Sequence, residues 1–268
     1  MDKEQLKKLA KDPRFISGIY NYCDRWCERC EFTSRCMNYA LDENEGGSSE
    51  SEDINNKAFW DKLHGIFQVT FEMLEETADE MGIDLDALDD EEFEKQQEQV
   101  DRFVKSRPYT KAAFSYTETV KNWFDSNRVL LGNKAEELLS LAQAQIPGVR
   151  PDEEALKIQD CLEVVRWYQH QIYVKLCRAA SGTIRGELED SEYAPEDANG
   201  SAKVAIIGIE RSIAAWAGLL NHFPDNEQSI LSILVMLKGL LRQVDSAFPD
   251  ARAFLRPGFD TAGKTLNI

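Results

Sequence analysis

Strand signals are nearly missing from this chain. No run of strictly alternating apolar and polar residues stands out in its 268 residues, and no segment repeats. That argues against sandwiches, barrels and doubly wound sheets and leaves helix as the expected building block. Basic side chains are also short: 31 Lys and Arg stand against 48 Asp and Glu, a formal net charge of −17. Such a surface repels nucleic acid phosphates and anionic lipid, so neither is expected as a partner. Long apolar runs free of charge are lacking too. The nearest, Val204–Leu220, is interrupted by Glu210 and Arg211, so no membrane span is expected. Met1–Asp12 is charged and has no apolar core of the signal-peptide kind, which makes the cytoplasm the expected location. The phosphate-cradling glycine spacing is absent: Asp197-x-Asn199-Gly200-Ser201-x-Lys203 reads as a plain helix N-terminus. No Ser/His/Asp or Cys/His catalytic set assembles from the sequence.

What is present is an ordinary globular mixture, 43% hydrophobic and 29% charged, long enough to bury a core. The charge is uneven. Residues 1–40 carry eight basic and six acidic side chains, a net of +2, so the rest of the chain carries −19. Residues 42–53 contain six acidic residues, no basic ones, and Gly and Ser between them. That composition predicts a linker or surface loop. Three regions follow: a cysteine-rich module at 1–41, an acidic linker at 42–55 and a helical bundle domain at 56–268.

Apolar spacings of three and four predict the helices. A short one covers Lys3–Lys11. Lys57–Met81 carries Trp60, Leu63, Phe67, Phe71, Leu74 and Ala78 on one face, and Gly82 ends it. A polar helix ends near Arg107–Pro108. Thr110–Leu131 follows, with a break at Gly132–Asn133 before Lys134–Gln145. Asp152–Ala180 has a heptad-like seam of Ile158, Leu162, Val165, Gln169, Ile172, Leu176 and Ala179. Ser181–Gly200 is read as a loop. Ser201–Phe223 and Asp225–Phe248 complete the set, with Asp225 and Gln228 spaced as a capping box. Gly208 and Ser212 would permit close helix packing. The fold class is therefore all-α, a multi-helix bundle with a small N-terminal four-cysteine metal-binding module.

The chemistry concentrates in Cys23-x3-Cys27-x2-Cys30-x5-Cys36. Thiolates are soft ligands suited to zinc and to iron–sulfur clusters. Four of them within fourteen residues can close around one centre without help from distant chain. In a reducing compartment they argue for metal over disulfides. The spacing Cys27-x2-Cys30-x5-Cys36 resembles the [4Fe–4S] loop of helix-hairpin-helix DNA glycosylases, whose first gap is six residues where this chain has three. That resemblance implies a cluster at these cysteines; the acidic body carries no DNA-binding patch to accompany it. Cys23-x3-Cys27-x2-Cys30 looks like the cluster motif of radical-SAM enzymes, which need a β/α barrel that this chain does not suggest. The cofactor expected is a [4Fe–4S] cluster, with a structural zinc as the alternative. Tyr20, Tyr22, Trp26 and Phe32 would shield a cluster, or pack a zinc module onto the bundle. Cys161 and Cys177 are expected to be small buried hydrophobes.

Polar residues on otherwise apolar helices define a second candidate site. Glu163, Trp167, His170, Val174 and Cys177 share one side of their helix, and Arg166 is spaced to pair with Glu163. His64, Glu163, His170 and Glu210 form the candidate ligand set of a carboxylate–histidine metal site, as in ferritin-like di-iron proteins. The Glu-x-x-His motif of that family is absent here. Helix-edge or internal ion pairs, with His170 a satisfied core histidine, are the plainer reading. A small-molecule pocket lined by Trp167, Tyr168, His170 and Trp216 is a third.

Three functions fit the sequence. The first is a redox or electron-transfer protein carrying a [4Fe–4S] cluster, with a redox partner. The second is a non-enzymatic helical interaction protein pinned by zinc. The third is an oxidoreductase with an additional iron site in the bundle.

Overall fold

The computed structural model describes residues 3–44, 55–85, 90–189 and 194–260. Most of the acidic stretch at 42–55 lies outside the described residues, as does the tail beyond 260. Helices and 3-10 turns account for the described elements, and no strand occurs among the described residues. The chain forms two units, Met1–Gln97 with Leu255–Ile268, and Glu98–Phe254.

The first unit begins with α1, Lys3–Ala10, and continues through 3-10 turns at Ile19–Tyr22, Cys27–Arg29 and Thr33–Arg35 into α2, Met37–Asn44. α3, Lys57–Met81, has the bounds its spacing predicts. Asn56 caps it by accepting a 3.0 Å bond from the Ala58 N–H, satisfying one of the open amides of the first turn. Gly82, at φ 69°, ends it, and the Ile83 N–H returns to the Ala78 carbonyl at 2.8 Å. This is the left-handed termination that glycine adopts at least cost. Lys3 and Lys7 of α1 reach Glu76 at 2.6 and 2.7 Å. The apolar stripe of α3 does not become core, however. Ala78 is buried, but Trp60, Phe67, Phe71 and Leu74 are exposed. α4, Asp90–Ser106, carries the boundary between the units.

In the second unit α5 (Pro108–Ser126), α7 (Pro151–Glu189), α8 (Ala194–His222) and α9 (Glu227–Ala247) pack as a bundle, with α6 (Arg128–Ala144) laid on α7. The heptad seam of α7 is the core: Val165, Ile172, Leu176 and Ala179 are fully buried. Facing them are Tyr116 and Val120 of α5, Ile206, Ile209 and Leu219 of α8, and Ile230, Ile233 and Leu237 of α9. Glycine sets how closely α7 and α8 approach. A Cβ on Gly208 would stand 2.8 Å from Tyr168 Cδ1, and one on Gly218 would stand 2.8 Å from Cys161 Sγ. Trp216 donates its Nε1–H to the Tyr116 hydroxyl at 3.1 Å inside the core. It also meets Trp123 edge to face at 4.8 Å.

Three sequence expectations are corrected here. The break between α5 and α6 falls at Asn127, not at Gly132–Asn133. Asn127 donates both its N–H and its Nδ2–H to the Trp123 carbonyl, closing α5, while Gly132 sits within α6. The loop expected at Ser181–Gly200 is largely helix: α7 runs to Glu189 and α8 begins at Ala194. Gly182 lets Ala198 approach to within 3.4 Å of a Cβ position, Ile184 and Ala198 are buried, and Arg178 pairs with Asp197 at 2.6 Å. Tertiary burial thus overrides the glycine and serine content. At α9 the Asp225–Gln228 capping box is not made; Pro224–Asn226 is a 3-10 turn and Asn226 caps without a side-chain bond.

α8 is also the one helix among the described residues that is long and apolar enough to cross a membrane by length and composition. Half of the qualifying stretch is buried within the protein. An apolar helix at the centre of a bundle has that composition for packing reasons.

Candidate metal centre

Cys23, Cys27, Cys30 and Cys36 line one cavity of about 30 Å³. The local chain explains how. Two tight turns, closed by Cys30 N–H to Cys27 carbonyl and Cys36 N–H to Thr33 carbonyl, each at 3.1 Å, present three of the cysteines at turn ends. Between Cys23 and Cys27, Asp24 Oδ1 accepts the Trp26 N–H at 3.2 Å, and Arg25 is left-handed at φ 55°. A left-handed arginine costs on the order of 1 kcal/mol, a strain that concentrates at functional loops. The Ile16 N–H donates to the Arg35 carbonyl at 3.0 Å and so anchors the far end of the loop.

Aromatic rings close the cavity. Tyr20, Trp26, Phe32, Tyr39 and Phe259 contribute to its walls. Arg29 stacks over Trp26 at 4.1 Å. Phe259 was not foreseen in the sequence. It meets Phe32 edge to face at 5.0 Å, and the turn that delivers it depends on Gly258. That glycine is left-handed at φ 80°, and a Cβ there would stand 2.9 Å from both Ile16 and Ile19. Arg256 and Asp260 brace the turn by a 3.1 Å ion pair. The one available signal was the Arg256-Pro257-Gly258 turn sequence, which does not say what the turn approaches.

Burial, then the neighbouring Cys23, Cys30 and Cys36, raises Cys27 above the ordinary thiol value. Burial raises Cys30 as well, against the opposing Phe32 N–H, which donates to Cys30 Sγ at 3.4 Å. An N–H aimed at sulfur stabilises the thiolate and is one of the contacts that sets an iron–sulfur potential. Among the described residues no group of three or more His, Cys, Asp or Glu side chains stands so as to hold a metal ion.

Among the described residues the second candidate set forms no metal-holding group. His64 is exposed on α3, in the first unit. In the second unit His170 is exposed, not a core histidine. Glu163 accepts from Gln159 at 2.8 Å, and Glu210 pairs with Arg252 at 2.9 Å. Arg166 lies over the Phe124 ring at 4.4 Å, and Arg211 donates to the Tyr168 hydroxyl. Tyr168 and Trp216 are core residues, so the small-molecule pocket expected around them does not form. A different groove of about 490 Å³ runs between α6 and α7, lined by Leu131, Leu138, Ile158, Leu162 and Phe223. At its edge Lys134 pairs with Glu154 at 3.0 Å, and His222 Nδ1 lies 3.2 Å from the same carboxylate.

No protein-family model, no curated protein and no solved structure matches this chain.

Proposed function

We propose that Cys23, Cys27, Cys30 and Cys36 hold a [4Fe–4S] cluster and that the protein carries or senses single electrons, exchanging them with a redox partner. The observation behind this reading is that all four cysteines line one aromatic-walled cavity. A zinc ion with Zn–S bonds of about 2.3 Å needs four sulfurs drawn to a single point. A cubane cluster takes a wider ring of four sulfurs, and thiolates in a short loop can supply it. The Phe32 N–H on Cys30 Sγ and the surrounding rings would set the potential and keep water away.

Structural zinc is the second reading. It is favoured by the thin core of the segment, where Ile19 is the buried apolar residue between Lys3 and Asn44; a metal centre compensates for such a deficit. Anaerobic purification with an absorption spectrum and elemental analysis of one sample separates the two. Broad absorbance near 400 nm with about four irons per chain is the outcome expected of a cluster. One zinc per chain and no colour overturns the cluster and leaves the protein a helical interaction protein. An additional iron site in the bundle has no support from the geometry of Glu163, His170 and Glu210.

A further inference from the structure

Most of the cysteine site is local chain, but one wall of it comes from far along the sequence. The chain returns to the first unit at Leu255, and the turn that follows carries its own frame. Asp260 Oδ2 accepts the Arg256 backbone N–H at 3.0 Å and its Nε–H at 3.1 Å, while Oδ1 accepts from Nη2 at 3.1 Å. The Phe259 and Asp260 N–H groups both return to the Arg256 carbonyl. The Arg256 guanidinium lies 4.8 Å from the Phe259 ring centre. A forked ion pair between side chains only 11% and 17% exposed holds the turn in one shape.

Outward, the turn meets the cysteine module. Phe259 is a wall of the cysteine cavity and stands edge to face on Phe32. Gly258 lies so close to Ile16 and Ile19 that a Cβ would reach both at 2.9 Å, and Pro257 Cγ would stand 3.9 Å from a Cβ on Gly18. This platform has little core of its own, with Ile19 as its buried apolar residue. Phe32 lies between Cys30 and Cys36 in sequence, and its N–H is directed at Cys30 Sγ. The residue that seats Phe259 is thus held by a sulfur of the metal site. A segment so short of core draws its folding free energy from the metal it binds. A self-framed turn on such a platform has two states, docked and released, and the metal biases them.

We propose that the turn at residues 255–260 is a strap that closes over the cysteine loop when the metal centre is in place and opens when the centre is lost. This rests on the reading that Cys23, Cys27, Cys30 and Cys36 hold a metal centre, cluster or zinc alike. The coupling is reciprocal: a metal that favours the docked strap is held more tightly by it, by the same factor. Occupancy of the cysteines is thereby converted into a change of shape at the turn.

Limited chymotrypsin digestion of the full chain, metal-loaded and metal-stripped under a thiol reductant, reads the strap at the Phe259–Asp260 bond. Loaded protein should be cut there at least about tenfold more slowly than stripped protein. In Gly258→Ala the new methyl group meets Ile16 and Ile19 on a left-handed backbone, so the strap stays open and the loaded and stripped rates should agree. Phe259→Ala reads the coupling from the other side. Its metal loss to excess EDTA, followed by elemental analysis of desalted samples, should quicken at least about fivefold, with the far-ultraviolet circular dichroism unchanged. Equal cleavage of loaded and stripped wild type overturns the strap, and so does metal loss from Phe259→Ala at the wild-type rate. A wild-type chain that takes up neither iron nor zinc overturns the metal reading and the strap with it. The metal content of the starting sample tells the two failures apart.

Discussion

Gly208→Ala is the sharpest test of how α7 and α8 are packed. A methyl group there would stand 2.8 Å from Tyr168 Cδ1 and 3.2 Å from Ile172 Cγ1. Neither neighbour can withdraw easily. Both are 1% exposed, and the Tyr168 hydroxyl is held by Arg211. Overpacking of this kind costs about 1–3 kcal/mol. Against it stands the gain of replacing a mid-helix glycine with alanine, about 1 kcal/mol. Gly239→Ala in α9 isolates the two terms, because a Cβ at Gly239 meets nothing within 4 Å. The helix gain is common to both variants, so their difference measures the clash alone. Gly239→Ala should be stabilised by about 1 kcal/mol, and Gly208→Ala should fall about 1–3 kcal/mol below it. In urea, with a slope of about 2 kcal/mol/M, the two midpoints would separate by roughly 1 M. The transition is best followed by aromatic circular dichroism of the Trp123–Trp216 pair, which lies in the same core. If both variants are stabilised equally, the close approach at Gly208 is refuted.

Three further outcomes are expected. Tyr116→Phe removes the acceptor of the buried Trp216 N–H and should destabilise by about 1–3 kcal/mol in the same urea titration; burial already pushes the Tyr116 phenol up to about 12, so the loss should not vary between pH 6 and 9 (roughly the neutral range of a phenol). Glu154 is held below its ordinary carboxylate value of 4.5 first by Lys134 and then, against burial, by His222. A lowered folded value means stability that is present above pH 4.5 and lost as the pH falls through the folded value. Glu154→Gln should therefore cost up to about 1 kcal/mol at neutral pH, with the difference from wild type closing in acid. Finally, Cys27→Ala should reduce bound metal and any visible chromophore to background, while the unfolding transition of Glu98–Phe254 stays in place, since none of the four cysteines belongs to that unit. A variant that keeps its metal would remove Cys27 from the site.

How much of this was legible beforehand depends on the range of the interaction. The bounds of α3 were, because Asn56, Gly82 and the three-and-four spacing act within a turn or two of each other. So was the grouping of the cysteines, because turns closed over three residues, such as Cys30 to Cys27, keep sulfurs near in sequence near in space. The candidate set His64, Glu163, His170 and Glu210 drew on four positions whose spatial relation no local rule specifies, and among the described residues no metal-holding group forms from them.

By itself, then, the sequence determined helicity, the core seam of α7 and a four-cysteine loop, all consequences of periodicity and short-range spacing. Only the tertiary structure decided that Phe259 closes over the cysteines and that Asn127, not Gly132, divides α5 from α6. It alone decided that Ser181–Glu189 stays helical and that the apolar stripe of α3 faces outward. Each of these rests on which distant surface arrives to bury a side chain, and burial against a distant partner outweighs the few tenths of a kcal/mol per residue that local preference supplies.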